Sequence, residues 1–344
     1  MTTSLYHPSA FLRWLPPAGL LLLGILLGGP LPLTSAADSP SEGRTSYPDI
    51  PEPVTSFGAA IVGDALYLYG GHTGSAHSYS AEAQGKTLWR LNLNEPQGWE
   101  KVASDVGLQG LAMVAHGDRL YRIGGFTAKN DDGEEHDLWS QDTVVAYDLK
   151  AEQWQKLPSL PEPRSSFDAA VLDHTIYVVG GWQIRGDEHL WHDTAYALDL
   201  SAESPEWKAL APPPFERRAL SVAAYQGKLY AIGGMTKEGK PTTRVDVYDV
   251  ASGTWSQGPD LQGEGMDGFG SSAFAVGGRL YTSTLHGTLQ RLAEDGKSWE
   301  IVRELEPARF FHRMLPLGDD RLVFIGGANM SEGKYEEIGI VQVK

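Results

Sequence analysis

The chain has 344 residues, 41% of them hydrophobic, and no cysteine, so a sizeable core must stabilise it without disulfides, and thiol chemistry is excluded. Its formal charge of −16, from 44 acidic against 28 basic side chains, argues against nucleic-acid contact, where clustered Lys and Arg must meet phosphates.

The first 37 residues stand apart. Arg13 precedes the apolar run "PAGLLLLGILLGG", and small residues follow at Thr34/Ala36 and Ser35/Ala37, the pattern of a cleavable secretory signal peptide. Gly and Pro break the run below the roughly 20 apolar residues of a membrane span. The mature chain is therefore expected to be secreted or periplasmic, with no membrane contact after cleavage. This leader contains one basic residue, Arg13, and no acidic one, so its removal takes the charge from −16 to −17. Residues 38–46, "DSPSEGRTS", read as a flexible polar linker.

From Tyr47 onward the chain repeats itself. "PDIPEPVTSFGAAIV", Pro48 to Val62, returns 110 positions later as "PSLPEPRSSFDAAVL", Pro158 to Leu172, with eight of fifteen residues identical. A shorter signature recurs more often, a β-rich run ending in Gly-Gly at Gly70–Gly71, Gly124–Gly125, Gly180–Gly181, Gly233–Gly234 and Gly326–Gly327. The intervals are 54, 56, 53 and 93 residues, and the long one hides a degenerate copy, "GGRLYTSTLHG", with Thr284 and Leu285 in the Gly-Gly positions. Six units result. Five carry a late Trp (Trp99, Trp154, Trp207, Trp255, Trp299), and alternating runs such as "DTVVAYDL" lie between. Each unit thus reads as four short strands, and no sustained helical period is present.

Paired glycines after an apolar strand, an alternating strand and a downstream Trp resemble the kelch repeat, over roughly Tyr47 to Lys344. The resemblance implies an all-β, six-bladed propeller of four-stranded blades at 47–344. The sixth unit ends without a Trp-bearing strand, so residues near Arg44 to Ile50 are expected to add that strand and close the ring.

Propellers hold ligands at one mouth of the central channel, beside the loops that enter the innermost strands and those that follow the second strands. Alignment on the apolar innermost strands puts Val54, Gln109, Arg164, Arg218, Phe269 and Arg309 at that mouth. In kelch proteins an Arg at this place commonly faces the channel, and the match covers Arg164, Arg218 and Arg309. Convergent guanidinium groups suit a carboxylate or sulfate; the alternative role is to tie neighbouring blades together. Arg217, Asp168, Asp267 and His312 either complete such a pocket or satisfy those arginines. Phe269 and Phe310 lie at the same level, as sugar platforms or as core. The loops after Gly-Gly are long in the first three units and nearly absent in the fifth, and Trp139, Trp182 and Trp191 in them suit carbohydrate or protein contact.

No metal or other cofactor is expected. His189 and His192 beside Asp187 and Asp193 lack a helix to align them, and "NDDGEEHD", Asn130 to Asp137, lacks the ordered spacing of a calcium loop. The copper chemistry of galactose-oxidase-like kelch proteins requires a Cys that is missing. The chain looks more like the bacterial periplasmic sialic-acid mutarotases, which share six kelch units and an Arg-containing pocket. Two functions remain open: a module binding a protein, peptide or glycan, including an acidic sugar, or a mutarotase-type enzyme in which His312, Asp168 or Asp267 moves a proton.

Overall fold

The computed structural model describes residues 47–343, and the leader and linker expectations lie outside these residues. The described chain is all-β, with one short 3-10 turn at Gly265–Gly268. Each recurrence forms one antiparallel sheet. In unit 1 the strands Gly58–Val62, Ala65–Tyr69, Thr87–Asn92 and Glu100–Ser104 pair in chain order. The first strands of units 2 to 6 are Ala112–His116, Asp168–Leu172, Ser221–Tyr225, Ser272–Val276 and Arg313–Leu317. Units 1 to 5 have four strands, and among the described residues unit 6 has three, the last being Gly339–Gln342. Sheets of this kind are consistent with the blades of a kelch propeller.

Local sequence explains the hairpins. Val62 opposes Ala65 across Gly63–Asp64, and Leu172 opposes Thr175 across Asp173–His174. Positive φ at Gly63 (55°) and Asp173 (54°) fits the primed two-residue turns that match strand twist. The apolar sides of the sheets then pack on one another. Six hydrophobic clusters occur, each shared by two units: Tyr69 with Leu120, for example, and Leu66 of unit 1 with Val323 and Ile325 of unit 6. The first strands of all six units line an axial cavity of 310 Å³.

A cyclic series of backbone hydrogen bonds joins the units just before their first strands. The N–H of Gly110 donates to Ser56, Ser166 to Gly110, Ala219 to Ser166, Gly270 to Ala219, Phe311 to Gly270 and Ser56 to Phe311, at 2.7–3.2 Å. All six donors have left-handed backbones, with φ between 51° and 62°. The bond from Ser56 to Phe311 joins the first unit to the last.

The paired glycines serve the same seam. The Gly181 N–H donates to Arg217 O of the next unit at 2.7 Å. A Cβ on Gly180 would lie 2.8 Å from that carbonyl, and one on Gly181 2.6 Å from Phe167 Cβ. With φ of 75° and 88°, both positions also need a left-handed backbone. As expected, Thr284 and Leu285 replace the pair in unit 5, directly after the strand Arg279–Ser283. Four of the five late Trp residues, all but Trp154, tie outer strands to the segment by which the chain enters the same unit: Trp207 Nε1 donates to Pro158 O and Trp299 Nε1 to Pro259 O.

Two features differ from the sequence reading. Tyr47–Ile50 carry no assigned strand, although the Ile50 N–H donates to Glu336 O at 2.9 Å; Arg44 to Ser46 lie outside the described residues. The long loops of units 2 and 3 are not loops throughout. Phe126–Ala128, Leu138–Ser140, Trp182–Arg185 and Glu188–Trp191 form a further four-stranded sheet bridging the two units. Such pairing between distant segments leaves no local trace in sequence.

Candidate functional site at the loop-side channel mouth

Two residues before the left-handed positions stand Val54, Leu108, Arg164, Arg217, Gly268 and Arg309, and the arginine side chains among them turn back into their own blades. The three arginines are buried staples. Arg164 donates to Gly180 O, Thr194 O and Thr194 Oγ1 and pairs with Glu162. Arg217 donates to Gly233 O and Arg244 O and pairs with Asp246 at 2.6 Å. Arg309 does the same with Gly326 O and Glu337. Burial pulls Arg164 and Arg217 down to about 10, partly offset by Glu162 and Asp246 respectively.

Arg164 and Arg309 therefore do not converge with Arg218 on the channel. The guanidinium groups hold segments of their own units together and do not tie neighbouring blades, and Arg217, not Arg218, belongs to their set. Alignment on apolar strands slips by one residue in units 2, 4 and 5. Spacing to the glycines finds the right register, because Arg164 precedes Gly180 by 16 residues and Arg217 precedes Gly233 by 16.

The next residue in each unit, one step before the left-handed position, faces the mouth. In this row Gln109 pairs with Phe126, Ser165 with Trp182, Arg218 with Met235 and Phe310 with Ala328. Arg218 is the one guanidinium here. Its Cζ lies 4.3 Å from the Trp182 ring and 5.7 Å from Trp191, while His189 stacks on Trp182 at 4.6 Å and 13°. Among the described residues Arg218 forms no ion pair, and burial lowers its pKa. Tyr79, carried over by the unit 1 loop, has its phenol pushed up by burial and is pulled back by the Arg218 charge. Arg218 Nε, Trp182 Nε1 and Gln109 Nε2 are buried donors without a protein partner among the described residues. Unsatisfied donors grouped with a desolvated cation suit an anionic or carbonyl-rich ligand.

The other aromatic residues pack on this rim. Phe269 meets Phe311 edge-on at 5.0 Å, Phe310 lies 5.2 Å from Phe311, and Lys129 covers Trp139 at 4.4 Å. The three proton-transfer candidates lie elsewhere. Asp168 pairs with Arg313 at 2.9 Å and accepts the Val222 N–H. Asp267 accepts the Glu264 N–H and the His286 ring. His312 is fully buried against Ser283 Oγ at 2.7 Å, and burial followed by the Arg309 and Arg313 charges holds it neutral, with a pKa of about 3. His192 is likewise buried and bonds to Pro163 O. Among the described residues no three His, Asp or Glu side chains gather into a metal-holding group.

Known proteins share this architecture. Residues 110–327 match the KLHDC2/KLHL20/DRC7 Kelch-repeats domain. Kelch-like protein 35 of Mus musculus is 28% identical over 233 residues, 67% of this chain and 35% of its own length. The chain thus spans about a third of that relative. N-acetylneuraminate epimerase of Pasteurella multocida (strain Pm70) is 26% identical over 348 residues, 82% of this chain and 88% of the enzyme. A solved structure described as that of YjhT superposes with a TM-score of 0.70 at 18% identity, covering 87% of this chain and 97% of its own. The domain match extends over more than half of the 344 residues, and the chain belongs to the kelch-repeat family.

Proposed function

We propose that this kelch-repeat chain is an exported, six-bladed propeller that binds a carboxylate-bearing ligand at its loop-side mouth, with Arg218 as the anion anchor. One observation carries the reading: a half-buried guanidinium, stacked on Trp182, has no carboxylate partner among the described residues of this acidic chain. Leaving such a cation unpaired is costly, and a ligand carboxylate offsets that cost through charge-assisted hydrogen bonds. Trp182 and Trp191 add apolar faces for a sugar ring or a peptide side chain. Closure of the ring is supported by the bond from Ser56 to Phe311 and by the core shared between units 1 and 6.

A second reading is catalytic. The epimerase from Pasteurella multocida matches over 88% of its own length, which favours an acidic sugar as ligand and anomer exchange as the reaction. A proton carrier for that step must sit at the mouth, where His72 and Tyr79 lie 5.0 Å apart, rather than at the buried His312.

Calorimetry on residues 38–344 with N-acetylneuraminate and with an acidic peptide tests the first reading. Arg218→Gln is expected to weaken whichever binds by at least about tenfold, roughly 1.4 kcal/mol, with the unfolding transition retained. Unchanged affinity in that variant refutes Arg218 as anchor. Anomer exchange of the sugar followed by NMR separates the readings, since a binder leaves the exchange rate at its uncatalysed value.

A further inference from the structure

Among the described residues, every Arg or Lys that is not exposed forms an ion pair with a carboxylate, except two. One is Arg218. The other is Lys334, whose Nζ donates to Gly74 O across the seam between units 6 and 1. Neither of the two acids nearest to it in sequence, Glu332 and Glu336, pairs with it, and Glu332 accepts the Tyr335 hydroxyl at 2.8 Å.

Both cations belong to the mouth. Lys334 pairs with Ala328, and Ala328 bridges to Phe310, the unit 6 member of the row that contains Arg218. Unit 5 lies between them in the chain, and its loop is a single tight turn closed by the Thr284 N–H and Thr288 O. Arg218 leans on Trp182 of unit 3 and Lys334 on Gly74 O of unit 1.

We infer that the mouth takes a small dianion, an elongated acid that sets one anionic group on Arg218 and the other on Lys334. The inference rests on the Arg218 reading and adds the ligand's second charge. A monoanion compensates one desolvated cation and leaves the other facing a lone carbonyl. A dianion compensates both. Burial supports this independently, pulling the Lys334 ammonium down to about 8, a displacement that a bound anion reverses. His72, lowered mainly by burial, also feels the Lys334 charge, so the amine is electrostatically continuous with the His72–Tyr79 pair and through Tyr79 with Arg218.

D-Glucarate and D-glucuronate are suitable probes, being six-carbon polyols with two terminal carboxylates and one. Calorimetry on residues 38–344 is expected to give at least about tenfold tighter binding of glucarate. Lys334→Met removes that preference and leaves glucuronate binding unchanged, while Lys334→Arg keeps it. Arg218→Gln weakens both acids. Equal affinities in the wild type, or a preference that survives Lys334→Met, overturns the second anchor and leaves Arg218 standing. Both acids binding undiminished to Arg218→Gln overturns the mouth reading itself, as does binding of neither acid at millimolar concentration. Urea unfolding of each variant confirms that the comparison is between folded proteins.

Discussion

Arg313, on the innermost strand of unit 6, reaches across the channel to Asp168 of unit 3, with Nη1 2.9 Å from Oδ1. The same guanidinium donates to Phe57 O of unit 1, and the second carboxylate oxygen of Asp168 accepts the Val222 N–H of unit 4. One ion pair therefore braces four units from inside. Arg313 lines both the cavity of 310 Å³ and one of 60 Å³ beside the left-handed residues. Both groups are largely buried, so Asp168→Ala, which strands Arg313 and the Val222 N–H, is expected to cost about 3 kcal/mol. In a double-mutant cycle with Arg313→Met, measured by urea unfolding, the two losses should be strongly non-additive. Additive losses would mean that the strut carries no coupling and that each residue acts through its backbone partner alone.

Stability should fall as the solution is made mildly acidic. His312 titrates at about 3 and His192 at about 4, both depressed chiefly by burial, against an ordinary value of 6.5. Arg309 and Arg313 add to the first shift; Arg164 adds to the second, against Glu162 and Asp193. A histidine depressed in the folded state binds its proton first in the unfolded chain. The contribution is complete above pH 6.5 and is lost as pH falls towards those values, at up to about 1.4 kcal/mol per pH unit for each ring. Urea unfolding between pH 6.5 and 5, above the range where most carboxylates titrate, should show this slope. His312→Asn should flatten it by up to one ring's share; a variant with the wild-type slope would show that His312 titrates normally.

The fold was legible because its demands fall on residue types that nothing else replaces. Gly180 and Gly181 must lack a Cβ and adopt positive φ, so the recurrence of such pairs reports the blades directly. Thr284–Leu285 could be placed only because neighbouring units fixed the interval. The site was less legible because Arg217 and Arg218 are adjacent in sequence and opposite in role. Side chains alternate faces along an extended segment, so one residue of slip turns an interior staple into a mouth residue. Arg164, Arg217 and Arg309 bind carbonyls contributed by later strands of their own units, and no single stretch of sequence displays those carbonyls. Lys334 drew no notice for a similar reason, since its isolation from carboxylates exists only in three dimensions.

The glycine seam makes a direct demand on stability. At Gly181 a methyl group would meet Phe167 Cβ and Ser165 O, each at 2.6 Å, with φ at 88°. Gly181→Ala should therefore destabilise by clearly more than about 1 kcal/mol, combining backbone strain with overpacking. Ala219, with φ of 53°, provides the opposite case: Ala219→Gly relieves a left-handed strain and should be tolerated or mildly stabilising. Thermal melts of the two variants against wild type check both signs, and a Gly181→Ala protein that melts with wild type would remove the steric account of the pair.

Among the described residues unit 6 has three strands, and the repeat interval proposes residues before Tyr47 as the source of a fourth. The Leu160 N–H donates to Asp142 O just after the outer strand Gln153–Lys156 of unit 2, at 2.8 Å. Ile50 stands 110 positions earlier and makes the corresponding bond to Glu336 O of unit 6, at 2.9 Å. The same offset carries Gln153–Lys156 onto residues 43–46 in the sequence, which lie outside the described residues. A chain beginning at residue 47 should therefore unfold at lower urea than one beginning at residue 38, by about 2 kcal/mol. It should also self-associate with concentration, because an uncovered strand edge is a template for pairing. Coincident unfolding curves and a monomeric shorter chain would show that residues 43–46 supply no strand and that the ring is held by its inner belt alone.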